Sequence, residues 1–539
     1  MNARAEAKLA IEKILKQYKV AIEHPEACLI EAAHRTANSG LDDAGLQQWQ
    51  DQPFVTIDNP DSRDLDQALL IERGNNNDFR VRYALADAAF YVPKGSALFN
   101  EAMKRGVTYY TPLLAAPMLP PSLSEGLVSL NPNKKRRALV FDMKLKQDGT
   151  CYNTSVTRAL ICSQAKLSYA SVQQYYDSLC SDQKDDQPNE QQQHEYHNQP
   201  WSVSLQLLLE LGEILMQRAS DRDVIPFNRS EAAITLTDNG LTISQRARVR
   251  TEKYNEQISL LCNMQGAAML KALAQDNDAL QAIFRAHDAP LQGRLNALRS
   301  SLNAFADLAQ LPDLWRWKTD QTLADYVVSL PDTPQHRGKL LAVERQILIS
   351  NQASEYRSEP GRHHALAASS YARFSSPMRE IVGIFTQKEL LEALDQQASP
   401  YEVDITQPID DDQLREQIIA VANQSRQTQK QISKRVEFIA LQSVLNKDLA
   451  TNSTVQRDGI IMGFKKDRIY VYCESITTDL KVSTADLQAQ YNTEYQLEQL
   501  SAKPLNQQAP GWLLGDAVKL SVVAFDAGRK RFQLALYKP

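Results

Sequence analysis

The apolar residues of this chain change their spacing twice, and that double switch restricts the fold more than any other feature. From Phe54 to Leu145 they come in short alternating runs, FVTID, ALLIE, FRVRYALAD and ALVFDMKL. A period of two turns one face of each run inward, which predicts β-strands. Over 201–220, 252–310 and 413–449 the spacing lengthens to three and four, which predicts helices. From about Thr454 short runs return, DGIIMGF, RIYVYCE, LKVST, AVKLSVVAFD and RKRFQLAL, with turn residues between them at regular intervals. Such spacing suggests a small closed barrel. Strands early and helices late predict an α+β body, followed by an all-β C-terminal unit.

The segment 1–50 predicts two or three short helices, because AIEKILKQYKVAI is helically periodic and Gly40 with the following Leu-Asp-Asp marks a break. Residues 181–200 are Gln/Asn-rich with almost nothing to bury, and predict a loop. A chain of 539 residues suggests about three domains. No apolar run approaches the ~18–20 residues that span a bilayer. The N-terminus mixes charges into its periodicity and lacks the apolar block of a signal peptide. Six cysteines are scattered with no C-x-x-C pair, which argues against a zinc ribbon or a disulfide framework. The expected location is the cytoplasm, and no membrane contact is expected. A net charge of −5 neither favours nor excludes nucleic acid, since phosphate binding needs only local patches. Lys134-Lys135-Arg136-Arg137 and Arg529-Lys530-Arg531 are two such patches, and either reads equally well as a solvated turn.

The most informative segment is Phe54 to Leu70, FVTIDNPDSRDLDQALL. It places Asp58, Asp61, Asp64 and Asp66 within nine residues, between two expected strands. Carboxylates this close repel one another and take up protons unless a cation lies among them. Oxygen ligands without His or Cys select Mg²⁺ or Mn²⁺ over zinc. Two such ions ~3.5–4 Å apart suit displacement at a phosphodiester. The spacing alone also fits an exposed acidic turn or a calcium loop, although it does not match the EF-hand pattern.

The run T-I-D-x-x-D-x-R-D-L-D resembles the signature that opens the catalytic domain of the ribonuclease II/R (RNB) family. Further segments match in order: Ala86-Asp87, PMLPPSLSEGLVSLNPNKKRRALVFDMKL (117–145), QAKLSYASV (164–172) as a helix start, and SEPGRHHALAASSYARFSSPMRE (358–380). The arrangement Gly515-Asp516-x-Val518-x-Leu520-x-Val522-x-x-x-Asp526 is similar to the OB-type barrel named for ribosomal protein S-one. The resemblance implies a helical segment at 1–50, an RNB-type catalytic domain at 51–450 and an RNA-binding barrel at 454–539. The ~50 N-terminal residues are too few for the two cold-shock barrels of longer members, so a short form is expected.

The resemblance further implies a hydrolytic 3′→5′ exoribonuclease that degrades single-stranded RNA to nucleoside 5′-monophosphates by a two-metal mechanism. Asp58, Asp64 and Asp66 fall on the metal-site aspartates, with Asp61 and Gln67 as further candidate ligands. Arg379 falls on the arginine at the scissile phosphate, where an always-charged guanidinium suits the developing charge. Tyr110, Tyr169 and Phe227 fall on the aromatic residues that stack on bases, a contact worth ~1–3 kcal/mol each and indifferent to sequence.

The chain also departs from the family pattern. Gln67 stands where a second adjacent aspartate is usual, and it supplies no charge. Ser259, Leu260 and Gly266 replace a Glu-Glu pair and an Asn. Lys434 stands at a Glu position, and Glu380 follows Arg379 where a basic residue is common. These departures support an alternative reading, a catalytically weak RNA-binding paralogue acting as regulator or scaffold.

Overall fold

The computed structural model describes residues 3–181, 195–222, 224–225, 231–238, 240–401, 410–451 and 455–539. Helices α1 (Ala3–Gln17) and α2 (Glu26–Ala37) come first, so the periodic N-terminus holds two helices, and the chain then enters strand β1 (Gln47–Trp49). Six further strands join β1 in the main sheet: β2 (Val55–Asp58), β3 (Gln67–Arg73), β4 (Phe79–Ala86), β5 (Lys135–Leu145), β6 (Cys151–Cys162) and β7 (Ala165–Ser168). Their order is β1-β6-β5-β4-β3-β2-β7. The centre, β3 to β6, is an antiparallel meander, while β1 and β7 add parallel at the edges.

The sheet is covered on both faces, which is why its central strands are almost continuously apolar. On one face Leu70, Ala84, Ala138 and Val140 pack with Ile381, Phe385, Ile418 and Ala422. On the other, Leu69, Tyr83, Leu139 and Phe141 pack with Leu208, Ile258 and Phe374. The covering helices are α3 (Ser202–Ser220) and α4 (Arg250–Leu273) on the second face, and α5 (Ile381–Ala393) with α6 (Asp411–Ala450) on the first.

The C-terminal strands are β8 (Arg457–Lys465), β9 (Arg468–Cys473), β10 (Thr478–Ser483), β11 (Ala517–Asp526) and β12 (Arg531–Tyr537). They run β10-β9-β8-β11-β12, all antiparallel, with helix α7 (Thr484–Tyr491) between β10 and β11. This is the OB-type barrel, and with the sheet-and-helix body it makes the chain α+β. Helix α6, 40 residues and therefore about 60 Å long, ties the two together. Its Ile418 and Ala422 lie under the main sheet, and its Ala440 and Val444 enter the barrel core beside Ile461 and Leu520.

Three expectations change. The helical stretch 252–310 divides into α4 and a second helix, Gln292–Leu308, because Phe284–Ala286 forms a strand with Glu355–Arg357. The polar cluster Gln275 to Asp278 and Pro290 bracket that interruption. QAKLSYASV begins as strand β7, and its helix starts only at Tyr169. The polar loop at 181–200 lies largely outside the described residues. In the basic run at 134–137, Lys134 and Lys135 are exposed, whereas Arg137 is buried and paired with Asp43 and Asp87, so the four side chains do not form one patch.

Candidate active site

The acidic loop leaves β2 at Asp58 and enters β3 at Gln67. Its first half is shallow. Asp58 accepts a hydrogen bond from the Asn59 N–H (2.7 Å), Asp61 is exposed, and Lys166 donates to the carbonyls of Pro60 (2.8 Å) and Ser62 (2.6 Å). Its second half is fastened. The Leu65 N–H donates to Ser129 Oγ (3.0 Å), which donates to the Arg63 carbonyl (2.7 Å), and the Ala86 N–H donates to the Asp66 carbonyl (2.8 Å). Leu65 is buried among sheet residues, and the neighbouring Asp66 is drawn into the interior with it.

Asp66 is fully engaged there. Its Oδ1 accepts from the Met378 N–H (2.9 Å) and its Oδ2 from Arg379 Nε (2.5 Å). Burial pushes the Asp66 carboxyl up to about 6, against the opposing pull of Arg379 and the Met378 amide. Burial likewise disfavours the charge on Arg379, but Asp66, Tyr110, Asp64 and Asp58 together outweigh it and keep the guanidinium charged. Arg379 Nη2 also donates to Ser376 Oγ (2.9 Å), and Asp64 Oδ2 lies 4.0 Å from Arg379 Nε.

Tyr110 sits on a short hairpin, Tyr109–Tyr110 with Ala115–Ala116, and is 43% exposed. Its hydroxyl donates to Asp64, and Gln429 of α6 clamps its backbone with two bonds of 3.0 Å. The ring is thus held by both hydroxyl and backbone while one side stays open. Tyr169 opens the helix after β7. Burial, then the nearby Asp58, pushes its hydroxyl up to about 12, and Asn255 donates to it at 3.4 Å.

Tyr110, Tyr169, Gln67 and Arg379 line one cleft of about 900 Å³, whose lining mixes Arg373 and Arg426 with Glu252, Glu256 and Glu380. Asp64 and Asp66 stand behind that lining, one bonded to Tyr110 and the other to Arg379. Phe227 lies outside the described residues. The structure therefore gathers most of the sequence-predicted residues and leaves Asp61 on the surface. The Gln67 side-chain oxygen is turned away from the aspartates and accepts from the Tyr83 hydroxyl.

Asn263 escaped the sequence reading, and Gly266 and Glu380, which it named as departures, have structural roles. Asn263 of α4 is buried. Its Nδ2 donates to Tyr371 (3.0 Å) and Ser375 (2.8 Å), and its Oδ1 accepts from the N–H groups of Phe374 (2.8 Å) and Ser375 (3.1 Å). One side chain thereby fixes the segment that carries Arg379. Gly266, read as a loss, has a packing reason, since a Cβ there would meet the Phe374 ring at 2.4 Å. Glu380 accepts from Arg373 Nε (3.0 Å) and the Tyr356 hydroxyl (2.7 Å). Burial alone would raise its carboxyl, and Arg373, with the Tyr356 hydroxyl, Arg285 and Arg426, brings it below the ordinary range.

The donors of the loop are oxygens only, which fits a hard divalent cation. Their charge fits one ion better than two, because Arg379 already neutralises Asp66 and Gln67 is neutral. Among the described residues, three carboxylates come within 4.8 Å of one another only at Glu389, Glu392 and Asp411. Lys388 and Lys94 already bridge that group.

Oxygen donors, a charged arginine and two tyrosine rings thus stand around one cleft. The RNB domain family matches residues 46–396, and the chain belongs to that family. Ribonuclease R of Escherichia coli (strain K12) is 29% identical over 380 residues, covering 69% of this chain and 43% of the relative. The chain thus spans less than half the length of that protein. A structure of Mycoplasma genitalium RNase R in complex with ribose methylated single-stranded RNA superposes with a TM-score of 0.80 at 18% identity, over 98% of this chain and 78% of that one. Yeast Ssd1, described as a pseudonuclease, superposes with a TM-score of 0.61 at 13% identity, over 90% of this chain and 54% of that one.

Proposed function

We propose that this protein is a divalent-metal-dependent exoribonuclease that hydrolyses single-stranded RNA from the 3′ end to nucleoside 5′-monophosphates. The observation that carries the reading is the Asp66–Arg379 pair at the wall of a cleft that also presents Tyr110 and Tyr169. Asp66 orients Arg379 through Nε, and Ser376 takes one Nη2 proton, so the remaining N–H donors face a non-bridging phosphate oxygen. Tyr110 and Tyr169 hold terminal bases by their faces, which suits a substrate of any sequence. Asp58 and Asp64, with Asp66 behind them, are the residues that would hold Mg²⁺ or Mn²⁺. When bound, such an ion offsets phosphate charge and makes water a better nucleophile. We assign this chemistry to residues 51–450 and capture of the RNA to the barrel at 454–539.

The relative named ribonuclease R supports this reading, and a single-stranded RNA seated in the similar fold supports the substrate class. The second reading, an RNA-binding protein of weak activity, draws on the neutral Gln67 and on the likeness to a pseudonuclease. Parallel digests of one oligonucleotide labelled at either end separate direction from mere activity. The 3′ label is expected to leave first as a mononucleotide while the 5′ label shortens step by step. Early release of the 5′ label, or internal fragments, would overturn the proposal.

A further inference from the structure

We infer that Gln67 is a phosphate-binding residue of the cleft, offering its amide N–H donors to the RNA where a carboxylate would need a cation between. This inference rests on the RNA-binding reading above. It begins from Tyr83, which lies diagonally across the β3–β4 ladder and is 1% exposed. The Tyr83 hydroxyl donates to Gln67 Oε1. A tyrosine hydroxyl has one proton. That proton is given to Gln67. The amide oxygen is therefore consumed on the buried side of the strand.

The amide nitrogen is the end that remains. Gln67 lines the cleft, and its Nε2 has no protein partner among the described residues and is not one of the buried polar atoms left without one. Two N–H donors thus face the space that Arg379 also borders. An Asp or Glu at this position would present a charged oxygen instead and would repel phosphate unless a metal ion bridged them.

The test uses the full chain and two variants. Fluorescence anisotropy with a ribose-methylated single-stranded RNA is measured in EDTA and then in Mg²⁺. The wild type is expected to bind in EDTA, and Gln67→Glu, the same size but an acceptor, to bind at least tenfold more weakly there and to recover with Mg²⁺. Equal affinity of the two proteins in EDTA overturns the assignment of Gln67. Absence of binding by the wild type in both buffers overturns the RNA-binding reading itself, and this inference with it. Mn²⁺ titration of the RNA-free protein, followed by electron paramagnetic resonance, gives an independent arm. Gln67→Leu is expected to leave Mn²⁺ affinity within twofold of wild type, and a tenfold loss would make Gln67 a metal ligand and overturn the inference.

Discussion

Replacing Asp66 by Asn exchanges one oxygen for an N–H₂ group at a site with no room for relaxation. Asn keeps an acceptor for the Met378 N–H, which now bonds Oδ1 at 2.9 Å, but turns a donor toward Arg379 Nε, now 2.5 Å from Oδ2. Losing one partner of a fully buried ion pair costs about 3–5 kcal/mol. Here the Arg379 side chain keeps 27% exposure and a bond to Ser376, so a cost below that range, about 2–3 kcal/mol, is expected. If that energy is what holds the guanidinium against the reacting phosphate, turnover falls by about 30- to 150-fold, at about 1.36 kcal/mol per factor of ten. RNA affinity should stay within threefold of wild type, because Tyr110, Tyr169 and Gln67 are untouched. Single-turnover degradation, equilibrium RNA binding and urea unfolding measured on the same preparation check all three. Residual turnover above one tenth of wild type, or an unchanged unfolding midpoint, would refute the reasoning.

Three further outcomes are expected. Tyr110→Ala should change the length of the final oligonucleotide without stopping hydrolysis, since a lost stacking contact of about 1–3 kcal/mol weakens the grip on short ends first; denaturing gels read the end product. On the barrel, Tyr470 and Tyr472 of β9 share a groove of about 550 Å³ with Lys481 and Lys434. Tyr470→Ala with Lys481→Glu should therefore weaken RNA binding at least tenfold and flatten its salt dependence while leaving single-turnover cleavage of bound RNA unchanged. His363 is buried, and burial, ahead of Arg285 and His287, lowers its pKa from 6.5 to about 4. The unfolded chain therefore takes up the proton first. The stability contributed by neutral His363 is complete above about 6.5 and lost as pH falls toward about 4, roughly 2 kcal/mol by pH 5. Thermal melts of wild type and His363→Gln between pH 5 and 7.5 should show that the variant loses this slope.

The fold was legible wherever local pattern and local cause coincide. Alternation marked β2 to β5 and the barrel strands, and the crowding of Asp58, Asp64 and Asp66 marked the loop between two strands. Strand β6, Cys151–Cys162, was missed because its first half faces solvent with Tyr, Asn, Thr and Ser and carries no apolar rhythm. The split of 252–310 depends on a pairing with Glu355–Arg357 some seventy residues away, which no local window contains. The same holds within the site. Arg379 could be named from its motif, but Asn263, which fixes its segment, and Tyr83, which turns the Gln67 amide, act across elements distant in sequence. Arg137 reads as part of a basic patch until Asp43 and Asp87 are seen to enclose it.

The central claim, that the cleft hydrolyses RNA with a bound divalent ion, meets its most direct test in one gel. The purified protein is incubated with 5′-labelled single-stranded RNA in Mg²⁺, in Mn²⁺ and in EDTA. A ladder that shortens one nucleotide at a time with either metal, and intact RNA in EDTA, is the predicted result. RNA that stays full-length in every lane, while a mobility shift shows it bound, would contradict the claim and leave an RNA-binding protein on a nuclease fold.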